Sequence, residues 1–591
     1  MGSVPLKYAR RRADDPGVAS APSTKTPRSP AAGQAVVTGE VSGIPVVWQH
    51  RPGPLVAAVG FRVGRADEPL ARGGVTHLVE HLALSGIGDV LWDYNGWVNG
   101  STTWFGFRGR PDELGAFLAR LQQGLTDLPV DRLDAEIGVL GAEDARRPGS
   151  IAGRCLGYWF GSVGWGTLEY PEYGLNRMDE ERAQAWCANR FGRDNAVLWM
   201  TGQPPGDAAL ELPAVAFHAE PEAQPQPFRV GPTTWLTHQQ RVTAISYLAP
   251  RTDDTLRAAT ILQSRLRALL RGREGLSYDI GLSVDPLDVA TAHVLLTADG
   301  TSPDIVGIIE EAIGELVDDG PTEEELIHQQ AAYLRAAEDD ASLPSRLGGL
   351  AHERLCGWPT RDVPTRFDLD DDTAPQVIES IEAAVAGALV LVPPGVAVPS
   401  SFAVPAPEPR ARTLEGRTFK LLHPDYGGPQ HRLVIGAAGV TDINGAQRVT
   451  VAVEDVTAAL LWPDGSRALI ASDGTMVSFD PALWSGPRSA LRSLDTALPT
   501  EVSVPMAAIL RAPRPKGSFV ASTARTSLLV FGGLVLWLFT IIMWAGVFSG
   551  APDANNNPIG PLIYTGLSVV VTLSLRDRVR ILWTSRRPPA G

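Results

Sequence analysis

The same succession of strand and helix patterns occurs twice in this chain, in two stretches of similar size parted by a proline-rich segment. In the first, GIPVVWQH and PLVAAVGFRVG alternate as paired strands do, and STTWFGFRG continues the pattern. The amphipathic runs DELGAFLARLQQGLTD and VDRLDAEIGVLGAEDARR predict helices, and DNAVLWMTGQPP is a strand running into a turn. After PEAQPQPFRVGP the order returns: strand RVTAISYLAP, helix DTLRAATILQSRLRALLRG, strand ATAHVLLTADG, two further helices and the closing strand GALVLVPPG. Thr322 and Glu325 have the spacing of a capping box at the start of the second of those helices. Two α+β units in tandem are the expectation, with an internal duplication at the level of pattern.

The flanks differ from this body. Residues 1–34 are rich in Pro, Ser, Ala and charge without an apolar run, which predicts a disordered leader and no secretory signal. Residues 35–220 and 221–400 hold the two α+β units, and 401–414 read as a proline-rich linker. Residues 415–512 carry short strands and a late helix, as a small β-rich domain would. Within 526–576 two uncharged runs, 527–548 and 559–575, have the length and apolarity of membrane-crossing helices. Arg511, Arg514 and Arg525 precede them, and Arg576, Arg578 and Arg580 follow, while the connecting loop holds only Asp553. The positive-inside bias then predicts a hairpin in the cell membrane, with the large domains and the basic tail, 577–591, on the cytoplasmic side.

With 591 residues several domains are expected, and a net charge of −14 argues against nucleic acid as the main partner. Cys155, Cys187 and Cys356 are too few and too scattered for a disulfide framework or a metal knuckle.

The chemistry is concentrated in GGVTHLVEHLALSG. His77 and His81 are four apart, so on a helix both imidazoles leave one face and can share a metal, with Glu80 on the adjoining flank within reach of a water. Such a site needs a third protein ligand. Glu136 and Glu143 lie seven apart, two helical turns, on nearly one face of a later helix; one suits the metal and the other suits holding a histidine from behind. His50, His218, His238, His293, His328, His352, His423 and His431 have no ligand spacing.

HxxEH followed by two glutamates seven apart resembles the inverzincin, or M16 (pitrilysin/insulinase-type), metallopeptidases. YNGWVNGSTTWFGF is similar to the family's Asn-containing strand, LPVDRLDAEIGVLGAE to its third-ligand helix, and LRGREGLSYDIG to its Arg…Gly-Leu-x-Tyr motif. His81 and Glu143 are closer in sequence than the family pattern has them. The resemblance implies two tandem M16-type α/β domains of the LuxS/MPP-like metallohydrolase class, followed here by the β-rich domain and two transmembrane helices. It implies one Zn²⁺ per chain, held by His77, His81 and Glu143, with Glu136 behind a histidine. Glu80 would be the general base, Tyr278 the donor to the oxyanion and Arg271 the holder of a substrate carbonyl. Asn99 and the strand after it would bind a peptide as an added strand. The expected function is a membrane-tethered zinc endopeptidase that cleaves peptides or unfolded segments in an enclosed chamber. A homodimer or a related M16 chain would complete that chamber. The alternative is a catalytically silent M16-like scaffold or binding protein. EDVTAALLWPDGSRALIASDGTMVSFDPALW is similar to pleckstrin-homology-like β modules.

Overall fold

The computed structural model describes residues 35–508 except 145–148, 217–222, 274, 361–368, 371, 407–412 and 423–429. The expected leader, membrane hairpin and basic tail therefore lie outside the described residues. Among the described residues, no helix is long and apolar enough to cross a membrane.

The first sheet comprises β1 (Val37–Val41), β2 (Ile44–Trp48), β3 (Leu55–Phe61), β4 (Asp93–Val98), β5 (Thr103–Gly109) and β6 (Ala196–Met200), in the order β1-β2-β6-β3-β5-β4. Helices α1 (Val75–Ser85), α2 (Leu114–Thr126), α3 (Leu133–Asp144), α4 (Ile151–Phe160) and α5 (Glu180–Arg190) belong to this stretch. The second sheet comprises β7 (Thr234–Thr237), β8 (Val242–Pro250), β9 (Ile280–Pro286), β10 (Thr291–Asp299), β11 (Leu389–Val392) and β12 (Val404–Pro405), in the order β12-β7-β11-β8-β10-β9. Its helices are α6 (Asp253–Leu266), α7 (Ile305–Asp318), α8 (Glu323–Glu338), α9 (Leu343–Leu355) and α10 (Thr373–Val385). From β2 onward the first order matches the second from β7 onward, strand for strand. Part of the expected linker is sheet: Val404 and Pro405 pair with Thr234 and Trp235 at the edge, where proline's missing N–H is tolerated.

Strands β6 and β11 are buried along their whole length because both faces of each sheet are covered. Leu198 and Met200 face the core under α1, α2 and α5, while Val197 and Trp199 meet Leu343, Leu347, Ala351 and Leu355 of α9. Reciprocally, Leu156, Tyr158 and Trp159 of α4 cover Leu389 and Leu391 of the second sheet. Each stretch thus lends a helix to the other's sheet. The capping box at α8 forms as the sequence suggests: Glu325 N donates to Thr322 Oγ1 at 3.2 Å, and Thr322 N donates to the Glu325 carboxylate at 2.8 Å.

The β-rich module has two four-stranded sheets. One is β13 (Arg417–Lys420), β14 (Arg432–Gly436), β15 (Gly439–Asn444) and β16 (Gln447–Ala452) in sequence order. The other places β17 (Val456–Leu461), β18 (Arg467–Ala471), β19 (Met476–Phe479) and β20 (Ser503–Pro505) in the order β19-β18-β17-β20. Helix α11 (Arg488–Ala497) buries Ala490, Leu491 and Leu494 in the core the two sheets share. A short 3₁₀ turn at Val453–Asp455 separates β16 from β17.

Candidate metal centre

Helix α1 buries Val75, Leu78, Val79, Leu82 and Ala83 in the first core, which leaves His77 and His81 half-buried on its other flank. Their rings sit edge to face, centroids 4.9 Å apart. The helix starts at Gly74, whose φ of 100° is left-handed and whose missing side chain offers no cap. A carboxylate from outside the helix supplies it: Glu68 accepts from Gly74 N at 2.7 Å and from Thr76 N at 2.6 Å. Burial pushes Glu68 up to about 7, against the downward pull of those hydrogen bonds.

Each imidazole is held from behind by a different acid. His77 Nδ1 lies 3.0 and 3.2 Å from the two oxygens of Glu172, and His81 Nδ1 lies 3.3 Å from Glu136 Oε2. Arg132 donates to the other Glu136 oxygen at 2.9 Å. A carboxylate at Nδ1 takes that nitrogen's proton in a hydrogen bond and leaves the Nε2 lone pair free. Both Nε2 atoms turn toward Glu80, whose Oε2 is 3.9 Å from His77 Nε2 and 3.7 Å from His81 Nε2, and Glu143 Oε1 is 3.9 Å from His81 Nε2. These separations are too long for hydrogen bonds.

One ligand atom from each of His77, His81 and Glu143 lies within 4.8 Å of the other two. A tetrahedral ion with bonds of about 2.1 Å draws its ligands to edges of ~3.4 Å, so the cluster is slightly open. Glu143 closes it most readily, since its side chain is 38% exposed at the last turn of α3. Two imidazoles and one carboxylate, with both imidazoles pre-oriented, are the donor set of a zinc ion with an open position. The residues fit the metal that the sequence resemblance implies.

Glu80 is buried, and its place depends on Gly96 of β4. A Cβ there would stand 1.7 Å from Glu80 Oε1. Gly96 and Glu172 escaped the sequence reading. A glycine inside a strand pattern was the available signal for Gly96; Glu172, brought in from far along the chain, had none.

The remaining expected residues lie elsewhere around the fold. Asn99 is exposed just beyond β4, its carbonyl accepting from Arg65 N at 3.0 Å. Strand β5, expected to bind substrate along its edge, is paired with β3 on one side and β4 on the other. The edge strands of the sheet are β1 and β4, and β4 is the one that follows α1 and carries Gly96. Arg271 and Tyr278 do come together, the guanidinium 5.3 Å from the ring centroid. With Arg241, Ser277 and Asp299 they line an open pocket of about 600 Å³ to which the histidines do not contribute. Tyr278 is 77% exposed. Asp299 Oδ1 accepts from Tyr278 N and Asp279 N at 2.7 Å each and from Ser277 Oγ at 2.6 Å, and these bonds, that from Asp279 foremost, hold its carboxyl below the usual range.

No protein-family model matches the sequence, and no curated protein matches it. Solved structures do share its fold. A protease from Helicobacter pylori is similar at TM-score 0.51 and 15% identity, over 61% of this chain and 100% of that one. The first half of the periplasmic protease PqqL from Escherichia coli is similar at TM-score 0.51 and 12% identity, over 63% of this chain and 96% of that one. Whole PqqL is similar at TM-score 0.50 and 12% identity, over 71% of this chain and 56% of that one. At such identities the likeness shows the fold alone, the one these two proteases share.

Proposed function

We propose that the chain is a zinc-dependent endopeptidase of the M16 type, tethered to the cytoplasmic face of a membrane and acting on peptides or unfolded segments. One observation carries the reading: His77, His81 and Glu143 converge on one point while Glu80, on the histidines' own helix and packed against Gly96 of the sheet, faces both Nε2 atoms. Bound there, zinc supplies a Lewis acid that acidifies water and polarises a peptide carbonyl. Glu80 accepts the proton of the attacking water and returns it to the leaving amine. Glu136 and Glu172 keep the imidazoles in the tautomer that presents Nε2.

An extended peptide adds to the open edge of β4, beside Glu80 and Asn99. Tyr278 and Arg271 take the oxyanion and carbonyl roles that the resemblance assigns to them. Because the chain spans 56% of whole PqqL, a second copy or a related chain is proposed to complete the chamber. The build of the β module, two sheets and a closing helix, supports its pleckstrin-homology-like reading.

The test is the full chain in detergent, as wild type and Glu80→Gln, assayed for bound zinc and for cleavage of a peptide library. One zinc in both forms and cleavage by wild type alone is the expected result. Turnover is expected to fall by about 10²–10⁴-fold in the variant. Zinc in both forms with cleavage by neither would favour the silent scaffold instead.

A further inference from the structure

The β module packs directly against the segments that hold the metal centre from behind. Two short 3₁₀ turns flank the start of α1: Leu70–Arg72 precedes it in sequence, and Tyr173–Arg177 follows Glu172. Leu70 and Ala71 are buried together with Ala458, Leu460, Ile470 and Val504 of the module, and Tyr170 and Tyr173 pack on the same cluster. Polar contacts fix the register. Arg177 Nη1 donates to three module carbonyls, those of Thr500 (3.1 Å), Glu501 (2.8 Å) and Ser503 (3.0 Å). Farther along, Ser162 Oγ donates to Ala471 O at 2.8 Å, and Ser162 N donates to Ser472 O at 3.1 Å.

A 3₁₀ turn has poor hydrogen-bond geometry and little stability of its own, so its position is set by what it packs against. Glu172 stands at the head of such a turn, and its inner side faces α1: a Cβ on Gly74 would lie 2.7 Å from the Glu172 Cβ. The outer side of the turn faces the module. Without the module, the apolar faces of Leu70 and Ala71 would meet water, and Arg177 would lose its three acceptors.

We infer that the β module is the outer support of the metal centre, pressing the Glu172 turn onto the zinc helix and so fixing the His77 imidazole. Arg177 is the positioning residue through which this acts. The inference rests on reading His77, His81 and Glu143 as the zinc site.

A double-mutant cycle on the full chain tests it, with zinc affinity measured by chelator competition and unfolding followed separately. Arg177→Ala is expected to weaken zinc binding by about fivefold or more, part of the ~10–100-fold that loss of a histidine's supporting acid costs. In a Glu172→Ala background the same change should leave zinc affinity where it is, while still lowering the melting temperature. Leu460→Ala, which thins the apolar contact, repeats the cycle should Arg177→Ala not fold. An equal loss of affinity in both backgrounds, or none in either, overturns the inference while leaving the zinc reading intact. A wild-type chain whose zinc binding is indifferent to His77→Ala overturns both.

Discussion

In the first sheet, helix α1 runs between β3 and β4; in the second, α6 runs between β8 and β9, at the same place in the same strand order. Helix α6 begins on its own Thr252, whose Oγ1 accepts from Thr255 N, and buries Ala258, Ala259, Ile261, Leu262 and Leu266. It carries no histidine. Helix α1 begins on a glycine without a side-chain cap, takes its N-terminal acceptor from Glu68 upstream, and has its histidines held by acids from α3 and from the turn at Glu172. A helix that only packs can be satisfied by its own sequence. One that presents metal ligands at fixed angles needs partners from distant parts of the chain. The difference between the halves therefore lies in what surrounds the helix more than in the topology.

The largest effect that separates the halves is expected at two strand glycines. Gly96→Ala places a methyl 1.7 Å from Glu80 Oε1, 2.5 Å from its Cδ and 2.8 Å from its Cγ, so the whole side chain must turn aside. Turnover should fall by about 10²-fold with zinc retained, because the residue displaced is the proton acceptor and not a metal ligand. Gly281→Ala meets Thr297 Oγ1 at 2.5 Å, a hydroxyl where Gly96 meets a carboxylate. It should lower stability by about 1–3 kcal/mol and leave zinc affinity and turnover alone. Steady-state kinetics and thermal melts on the two variants read the contrast directly. If Gly96→Ala proves as active as wild type, Glu80 is not the base.

The same contrast explains what was legible beforehand. Strand alternation, the HxxEH spacing, the two-turn separation of Glu136 and Glu143 and the Thr322 capping box are local patterns, visible without any knowledge of the fold. Helices α4 and α9 were not singled out. Each covers the other stretch's sheet, so its apolar face answers to a distant partner. Glu68 and Glu172 are ordinary acids in irregular segments until the chain closes around α1. Pairing of β5 on both sides likewise follows from sheet order, which alternation does not encode.

An effect of similar size is expected from pH. The folded pKa of Glu68, about 7, stands above its ordinary 4.5, so the folded state keeps the proton longer than the unfolded state does. Its contribution to stability is fully present below the unfolded value and is lost as pH rises through the folded one. In the metal-free chain, the stability of wild type relative to Glu68→Gln should fall by on the order of 3 kcal/mol between pH 4.5 and 7.5, then level off. Urea denaturation at several pH values measures it. A difference that stays flat with pH would mean that the start of α1 is not governed by a buried acid.

The smallest change is Thr252→Ala, which removes the local cap of α6. A side-chain cap of this kind contributes about 1 kcal/mol, and the group removed is an uncharged hydroxyl. Its value lies in what it should leave untouched. The two sheets are interleaved through α4 and α9, so a general loosening of the second could in principle reach the histidines. Independent sites add, and the side chain of Arg265 and the carbonyl of Arg257 bind α6 to Glu325 and Gln329 of α8. Zinc affinity in Thr252→Ala should therefore equal that of wild type while the denaturation midpoint falls. A joint loss of both would show that the halves form one cooperative unit, with the metal centre drawing its rigidity from the whole body and not from the few residues stacked behind α1.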